Sequence, residues 1–467
     1  MVVISRFRTG RRNGRDATDH EQRVTQISPR ATAILKRHVG KETDMGHPVV
    51  LTVGGTPPLE KLPAHTRRQV GVGIGACLVL ALLAQTLQSD LLWAQTQHVT
   101  LTTGTAEEVG LSAAVLNSGV QLFQDAVDRG DLVGAVLLVA KDGRVVLHEA
   151  VGWRHKGRGR PMEKNTMFRM ASNTKPVIAT AVSMLVEEEK LDFEGLVRTH
   201  IPSFDNYRAG FIQIKHLLSH TSGFRINSLF LEPLTEPSPA HPDAPHLQLE
   251  VARFGAVGAE VVPGTSFEYS NPGYNTLGAL VEIAAGQSLE SFLDERIYEP
   301  LGMVDSYNHE IVEKLDGKLD RMGAVYYRKE GGDWVPGWEP GDPPQVPFVR
   351  ASGGMISTAW DYAIFCQMFL NGGTYGGVRL LQPETVQTMT TSAFLPGGAA
   401  EGSGDSYGYG WFLAESGVYY HSGSDGTYAW VDPANRMIGL VFTQTPRGPN
   451  PRNKFRELVG AAILERD

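Results

Sequence analysis

The sequence predicts an α+β fold, with one antiparallel sheet built from both chain ends, flanked by helices, and a central, mainly helical insertion. Three observations predict it. A hairpin signal stands near the front of the apolar-patterned part. Four strand-like runs return near the end. Between them, at roughly 190–400, apolar spacing is helical or lost in loops.

The elements follow in order. Leu111 to Leu132 carries apolar residues at helical spacing (Leu111, Val115, Val120, Phe123, Val127), and the patterned part begins near Thr105. Val136–Val139 and Val145–Leu147 flank Asp142-Gly143, the strongest short-range hairpin signal. A helix is expected from Ser172 to about Glu188, with Val177, Ala181, Met184 and Leu185 on one stripe. Asn271–Ala285 and Thr358–Leu370 read as helices, the second with a Ser357-Thr358 cap and Asp361 in its first turn. Strands are then expected at Tyr409–Leu413, Val418–Tyr420, Thr427–Val431 and Met437–Thr443, with Asp432-Pro433-Ala434-Asn435 turning between the last two. Arg452 to Arg466 closes the chain as an amphipathic helix.

The composition of this 467-residue chain, 42% hydrophobic and 20% charged, suits one large globular domain or two interlocked ones. Charge is uneven. Residues 1–68 hold 13 Lys/Arg against 6 Asp/Glu, and the remainder holds 30 against 45. So acidic a folded portion is a poor nucleic-acid binder. Residues 1–69 read as a basic, disordered extension, or as an over-extended gene start with translation beginning near Met45. Arg67-Arg68 then precedes the apolar run Val70–Ala84, and residues 70–94 have the order of a secretory signal peptide. The run is short for a membrane span, which takes roughly 20 apolar residues. Export is therefore the expectation, with an uncleaved anchor over residues 70–87 as the alternative and the membrane touched only there. Of the two cysteines, Cys77 lies in this run, so Cys366 alone would remain and says nothing about compartment.

Chemistry enters at Ser172-Asn173-Thr174-Lys175, the only S-x-x-K in the chain. Residues i and i+3 share a face in the first helical turn, which brings the Lys175 amine to the Ser172 hydroxyl. A serine is a weak nucleophile until a base takes its proton, and a partly buried lysine becomes such a base as its pKa falls. Tyr269-Ser270-Asn271 follows a Pro263-Gly264 turn, where a tyrosine near a lysine shuttles protons and an amide positions substrate. His421-Ser422-Gly423, leading into Ser424, ends a late strand; a glycine there lets substrate lie against the backbone and the next amide face an oxyanion. Each motif alone is cheap: H-x-G also occurs at His38-Val39-Gly40 and His155-Lys156-Gly157.

Together, S-x-x-K at a helix start, Y-x-N after the helical stretch and H-x-G on a late strand make the chain resemble the penicillin-recognising serine hydrolases. The likeness is to class C β-lactamases, and more closely to their carboxylesterase (family VIII) and D-aminopeptidase branches. Met167–Ala171, Leu217–Gly223, Ser352–Thr358 and Tyr409-Gly410-Trp411 add local matches, and the resemblance spans about residues 105–465. It implies a β-lactamase/transpeptidase-like fold and an acyl-enzyme on Ser172. Lys175 and Tyr269 would handle the proton, with Tyr269 the expected base for deacylation. Asn271, His421 and Gly423 would contact substrate, and the Ser172 and Ser424 amides would hold the oxyanion. His220 is assigned to structure in its turn. No cofactor or metal is implied, and the partner is a small ester, amide or lactam.

One departure bears on substrate. Relatives usually carry K-[ST]-G on the late strand; here His421, mostly neutral at pH 7, stands in place of the cation. This favours uncharged esters over carboxylated antibiotics, with a D-amino-acid peptidase or weak β-lactamase as the alternative and an idle binding protein as the reading from another class. Gly404-Asp405-Ser406-Tyr407-Gly408 matches the G-x-S-x-G of α/β-hydrolases but lacks the strand before and helix after it, so it reads as a surface turn. His309-Glu310 lacks the second histidine of a zinc-hydrolase H-E-x-x-H.

Overall fold

A computed structural model describes residues 99–464, apart from 309–311, 316, 330–331, 345, 392–405 and 447. The expected basic extension and the expected signal at residues 70–94, with Cys77, lie outside the described residues. Among the described residues, no helix is long and apolar enough to cross a membrane.

The front hairpin forms as its turn dictates. Strands β2 (Gly134–Lys141) and β3 (Arg144–His155) pair across Asp142 and Gly143, both at positive φ (51° and 77°) as a two-residue hairpin turn requires. Thr102–Thr103 (β1) adds to β3 in parallel, and Arg160–Pro161 (β4) also pairs with β3. The late strands are β5 (Ser406–Tyr407), β6 (Phe412–Leu413), β7 (Tyr419–Ser422), β8 (Thr427–Asp432) and β9 (Met437–Thr443). Spatial order is β1-β3-β2-β9-β8-β7-β6-β5, so β9 joins the chain's end to its beginning through a full antiparallel ladder with β2. The sheet is thus built from both ends, antiparallel except for β1.

Helices cover both faces, which is why the central strands read as continuous apolar runs rather than alternations. Val136, Leu138 and Ala140 of β2, with Ile438, Leu440 and Phe442 of β9, pack against α4 (Ala359–Leu370) in a core that continues through α2 (Thr174–Glu187) to α3 (Asn271–Ala285). The alternate residues Leu137, Val139 and Val441 face α1 (Ala113–Asp128) and α5 (Arg452–Ala461), where Phe123 and Phe455 meet edge to face at 5.7 Å. Gly439 sits opposite Trp430, and a Cβ there would fall 1.9 Å from the indole, so the glycine lets the ring lie across the strand.

Several boundaries move. The helix expected from Ser172 begins at Thr174, after a 3-10 turn over Ala171–Asn173. The strand expected at Tyr409–Leu413 shrinks to Phe412–Leu413, because Gly410 at φ 87° packs against the backbone of Pro176 and cannot continue a ladder. Part of the Gly404–Gly408 surface turn proves to be an edge strand: Ser406–Tyr407 pairs with β6 and Tyr407 is fully buried. No helix follows it, so it is not a nucleophile elbow. The central insertion also carries short strands, among them Phe168–Arg169 with Met355–Ser357, and Val325–Arg328 with Trp334–Trp338.

Candidate active site

Ser172 stands in a turn held from three sides. Met170 donates its N–H to Met355 O (2.8 Å) and accepts at its carbonyl from Thr427 Oγ1 (3.0 Å), and Tyr362 Oη donates to Asn173 O (2.9 Å). The Asn173 amide lies between Thr427 Oγ1 (2.8 Å) and the His421–Gly423 backbone, tying the turn to β7. These bonds hold Ala171 at φ 46°, a left-handed conformation costing a non-glycine residue about 1–2 kcal/mol. Ser172 is left partly exposed at the floor of a cleft of about 430 Å³. A larger hollow, about 670 Å³ beside Phe369, Pro383 and Arg436, contains none of the candidate residues. Volume does not locate the chemistry.

Lys175 is fully buried one turn on, and its ammonium nitrogen has three partners: Ser172 Oγ (3.2 Å), Asn271 Oδ1 (2.9 Å) and Ser352 O (2.7 Å). Desolvation, and then the charge of Arg350, holds its pKa well below the ordinary lysine value. Two of the three partners are carbonyl oxygens, which only accept. A neutral Lys175 therefore keeps two N–H donors for Asn271 and Ser352 and turns its lone pair to the one partner with a proton to give, Ser172.

Tyr269 completes this wall. Its phenol hydrogen-bonds Ser172, and its ring lies 4.6 Å from the Lys175 nitrogen. Burial pushes the phenol above its ordinary range, against the pull of the Ser172 bond, so it stays protonated at neutral pH. His220 stacks on Tyr269 at 4.3 Å while its Nδ1 accepts the Ser270 N–H (3.0 Å). Ser270 in turn caps α3, its Oγ accepting the Gly273 N–H at 3.1 Å, which sets Asn271 in the first turn facing Lys175.

The opposite wall is β7. His421 is 1% exposed and does not line the cleft: Nε2 accepts from Tyr407 Oη (3.1 Å) and Nδ1–H donates to its neighbour's carbonyl, Ser422 O (2.9 Å). Desolvation and then the Lys175 charge push its pKa down to about 3, so the imidazole is neutral. Gly423 permits close packing; a Cβ there would meet Met170 O at 2.3 Å. Ser424 lines the cleft beside Ser172, next to Asp425, which pairs with Arg169 at 3.2 Å. The Arg169 guanidinium lies 4.9 Å over Trp338.

The structure thus brings Ser172, Asn271 and Ser424 to one cleft, bonds Lys175 and Tyr269 to Ser172 beneath its surface, and sets His421 behind the opposite wall. Sequence reasoning missed Arg350, Ser352 and the Arg169–Asp425 pair. Ser352-Gly353-Gly354 was visible as a local match, but nothing marked Ser352 O as a Lys175 acceptor. Among the described residues, no His, Cys, Asp and Glu group could hold a metal ion.

A serine hydroxyl, a buried amine and a phenol beside an antiparallel sheet covered by helices on both faces define the class: the fold is that of the penicillin-recognising serine hydrolases. The chain belongs to the Beta-lactamase family, whose sequence pattern matches residues 120–462. It is similar to a protein of Escherichia coli O157:H7 named "Putative D-alanyl-D-alanine carboxypeptidase", 27% identical over 395 residues that cover 76% of this chain and 87% of that protein. Among solved structures it resembles "EstCE1, a hydrolase with promiscuous acyltransferase activity" (TM-score 0.63, 23% identity, 75% of this chain and 99% of that one). It also resembles the simvastatin synthase LovD of Aspergillus terreus (TM-score 0.62, 22% identity, 75% and 98%).

Proposed function

We propose that this protein is a serine acyl hydrolase acting on small esters through an acyl-enzyme on Ser172. The observation that carries the reading is the bonding of Lys175, whose neutral form can take a proton from Ser172 alone. Ser172 Oγ bonds the substrate carbonyl carbon as its proton passes to Lys175. The oxyanion is met by the Ser172 and Ser424 amides. Tyr269, held as a phenol, relays the proton to the departing alcohol, and Lys175 replenishes it. Water then releases the acid, with the amine rather than a phenolate as the base. This division of labour favours Lys175 for the step that sequence reasoning assigned to Tyr269.

The ester preference is supported by the neutral, internally satisfied His421, which offers no cation to a substrate carboxylate from β7. A D-peptidase is the second reading, favoured by the name of the Escherichia coli relative and by Arg169 and Arg350 on the cleft walls. Steady-state rates with p-nitrophenyl butyrate, nitrocefin and a D-alanyl peptide decide between them. Butyrate turnover exceeding the other two supports the esterase; a preference for the peptide overturns it. Export through residues 70–94 belongs to the same proposal and rests on the Arg67-Arg68 and Val70–Ala84 pattern. N-terminal sequencing of the exported protein should begin close to Gln95, and recovery of the full chain in membranes would show an anchor instead.

A further inference from the structure

A second, smaller hollow of about 210 Å³ opens beside the catalytic cleft and shares Phe230 and Arg350 with it. Its walls are Phe230, Phe254, Val346 and Phe348. Four polar side chains reach it: Arg350 at the boundary shared with the cleft, Thr235 at the exposed rim, and Glu250 and Asn275, which are engaged by protein partners. Glu250 accepts from Arg253 (2.8 Å) and from the Leu234 N–H (2.6 Å), and Asn275 Oδ1 accepts the Ser352 N–H (3.0 Å). Against the walls formed by Phe230, Phe254, Val346 and Phe348 a polar ligand would gain little, whereas an apolar group would leave water at no cost to Glu250 or Asn275.

Position decides which part of a substrate it receives. The hollow lies behind Ser352, whose carbonyl holds Lys175 and whose amide holds Asn275. The oxyanion side belongs to Ser424 on the β7 wall. The departing oxygen must stand at Tyr269, whose other neighbours are His220, His421 and Phe412; none of these lines the hollow. Of the substituents on the reacting carbonyl, the acyl chain is the one left to face it.

We propose that this hollow is the acyl pocket, taking an unbranched aliphatic or arylacetyl group. At about 30 Å³ per water-sized group, its volume holds roughly seven such groups, which suits a hexanoyl or phenylacetyl chain. The proposal rests on Ser172 being the nucleophile. Each methylene buried should raise kcat/KM about fourfold, so p-nitrophenyl hexanoate and phenylacetate outrun acetate, while chains that exceed the pocket gain nothing more.

The test compares p-nitrophenyl acetate, hexanoate and octanoate, with Ser172 occupancy titrated by a fluorophosphonate. Val346→Trp fills the hollow and should lower the hexanoate-to-acetate ratio of kcat/KM by about tenfold or more. Phe348→Ala widens it and should raise the octanoate-to-hexanoate ratio, which keeps the test alive should the tryptophan prevent folding. Ratios within about twofold of wild type in the folded variants overturn the pocket. So does a Val346→Trp effect on discrimination among alcohols of a fixed acyl group, since that places the leaving group there. If no ester acylates Ser172 in the wild type, the acyl-hydrolase reading itself fails; acylation indifferent to chain length sinks the pocket alone.

Discussion

Lys175 and His421 flank Tyr269 from opposite walls, and both are buried bases driven toward neutrality by desolvation. Their hydrogen bonds separate them. Lys175 faces two carbonyl acceptors and one hydroxyl, so its lone pair has one place to go, the Ser172 hydroxyl. His421 spends Nδ1–H on a carbonyl and its Nε2 lone pair on Tyr407. Neutrality makes a base available only where the neighbours leave its lone pair facing the reacting atom. One wall is poised for proton transfer, and the other is closed scaffold.

The largest expected effect lies on the first wall. Ser172→Ala should abolish the fluorophosphonate adduct read by intact mass, with little change in Tm, because the partly exposed hydroxyl fills no core space. An adduct formed at the wild-type rate, or one lost only in Ser406→Ala, would place the nucleophile elsewhere. Lys175→Ala and Tyr269→Phe should each lower kcat by roughly 10²–10⁴. Because they act as one unit, the double variant should fall far short of the product of the two losses. Multiplicative losses would dissolve the wall into independent parts.

A pH profile sharpens the contrast further. If neutral Lys175 is the working base, kcat/KM rises with pH through its depressed pKa and reaches its plateau well below the ordinary lysine range. Arg350 contributes to that depression, so Arg350→Gln should raise the Lys175 pKa and move the acid limb to higher pH. A limb that stays in place would remove Arg350 from the electrostatics. His421 should instead register in stability. Its pKa falls from 6.5 to about 3, so the unfolded chain binds the extra proton in that window. Stability from this group is present above pH 6.5 and is lost as pH falls toward 3; His421→Gln should flatten the dependence of Tm on pH there. An unchanged slope would mean that His421 is not the proton-linked group. The smallest effect belongs to the α3 cap: Ser270→Ala should cost about 1 kcal/mol in denaturant unfolding, and no loss would show that the cap is replaced by other bonds.

What was legible in the sequence was local. Asp142-Gly143 admits few backbone conformations, so the hairpin could be read from two residues. Asn271–Ala285 and Met437–Thr443 appear with the bounds their patterning marks, since a capped periodic helix and a strand buried on both faces leave strong local signatures. The Ser172–Lys175 pairing followed from helical geometry. The 3-10 turn before α2 did not, because Ala171 is held at positive φ by Met355, Thr427 and Tyr362, partners distant in sequence. Tyr407 likewise looked like part of a surface turn until β6 and His421 enclosed it.

By itself the sequence determined the order of elements, the pairing of Ser172 with its i+3 amine, and the family-like trio of motifs, all of which depend on neighbours within a few residues. Tertiary structure decided which groups can work. The second carbonyl acceptor on Lys175 is Ser352, 177 residues away, and its pKa is depressed by burial and then by the charge of Arg350. The hydroxyl that closes His421 lies on another strand. Proton affinity and lone-pair direction follow from burial and from partners brought together across the chain, and no local pattern records them.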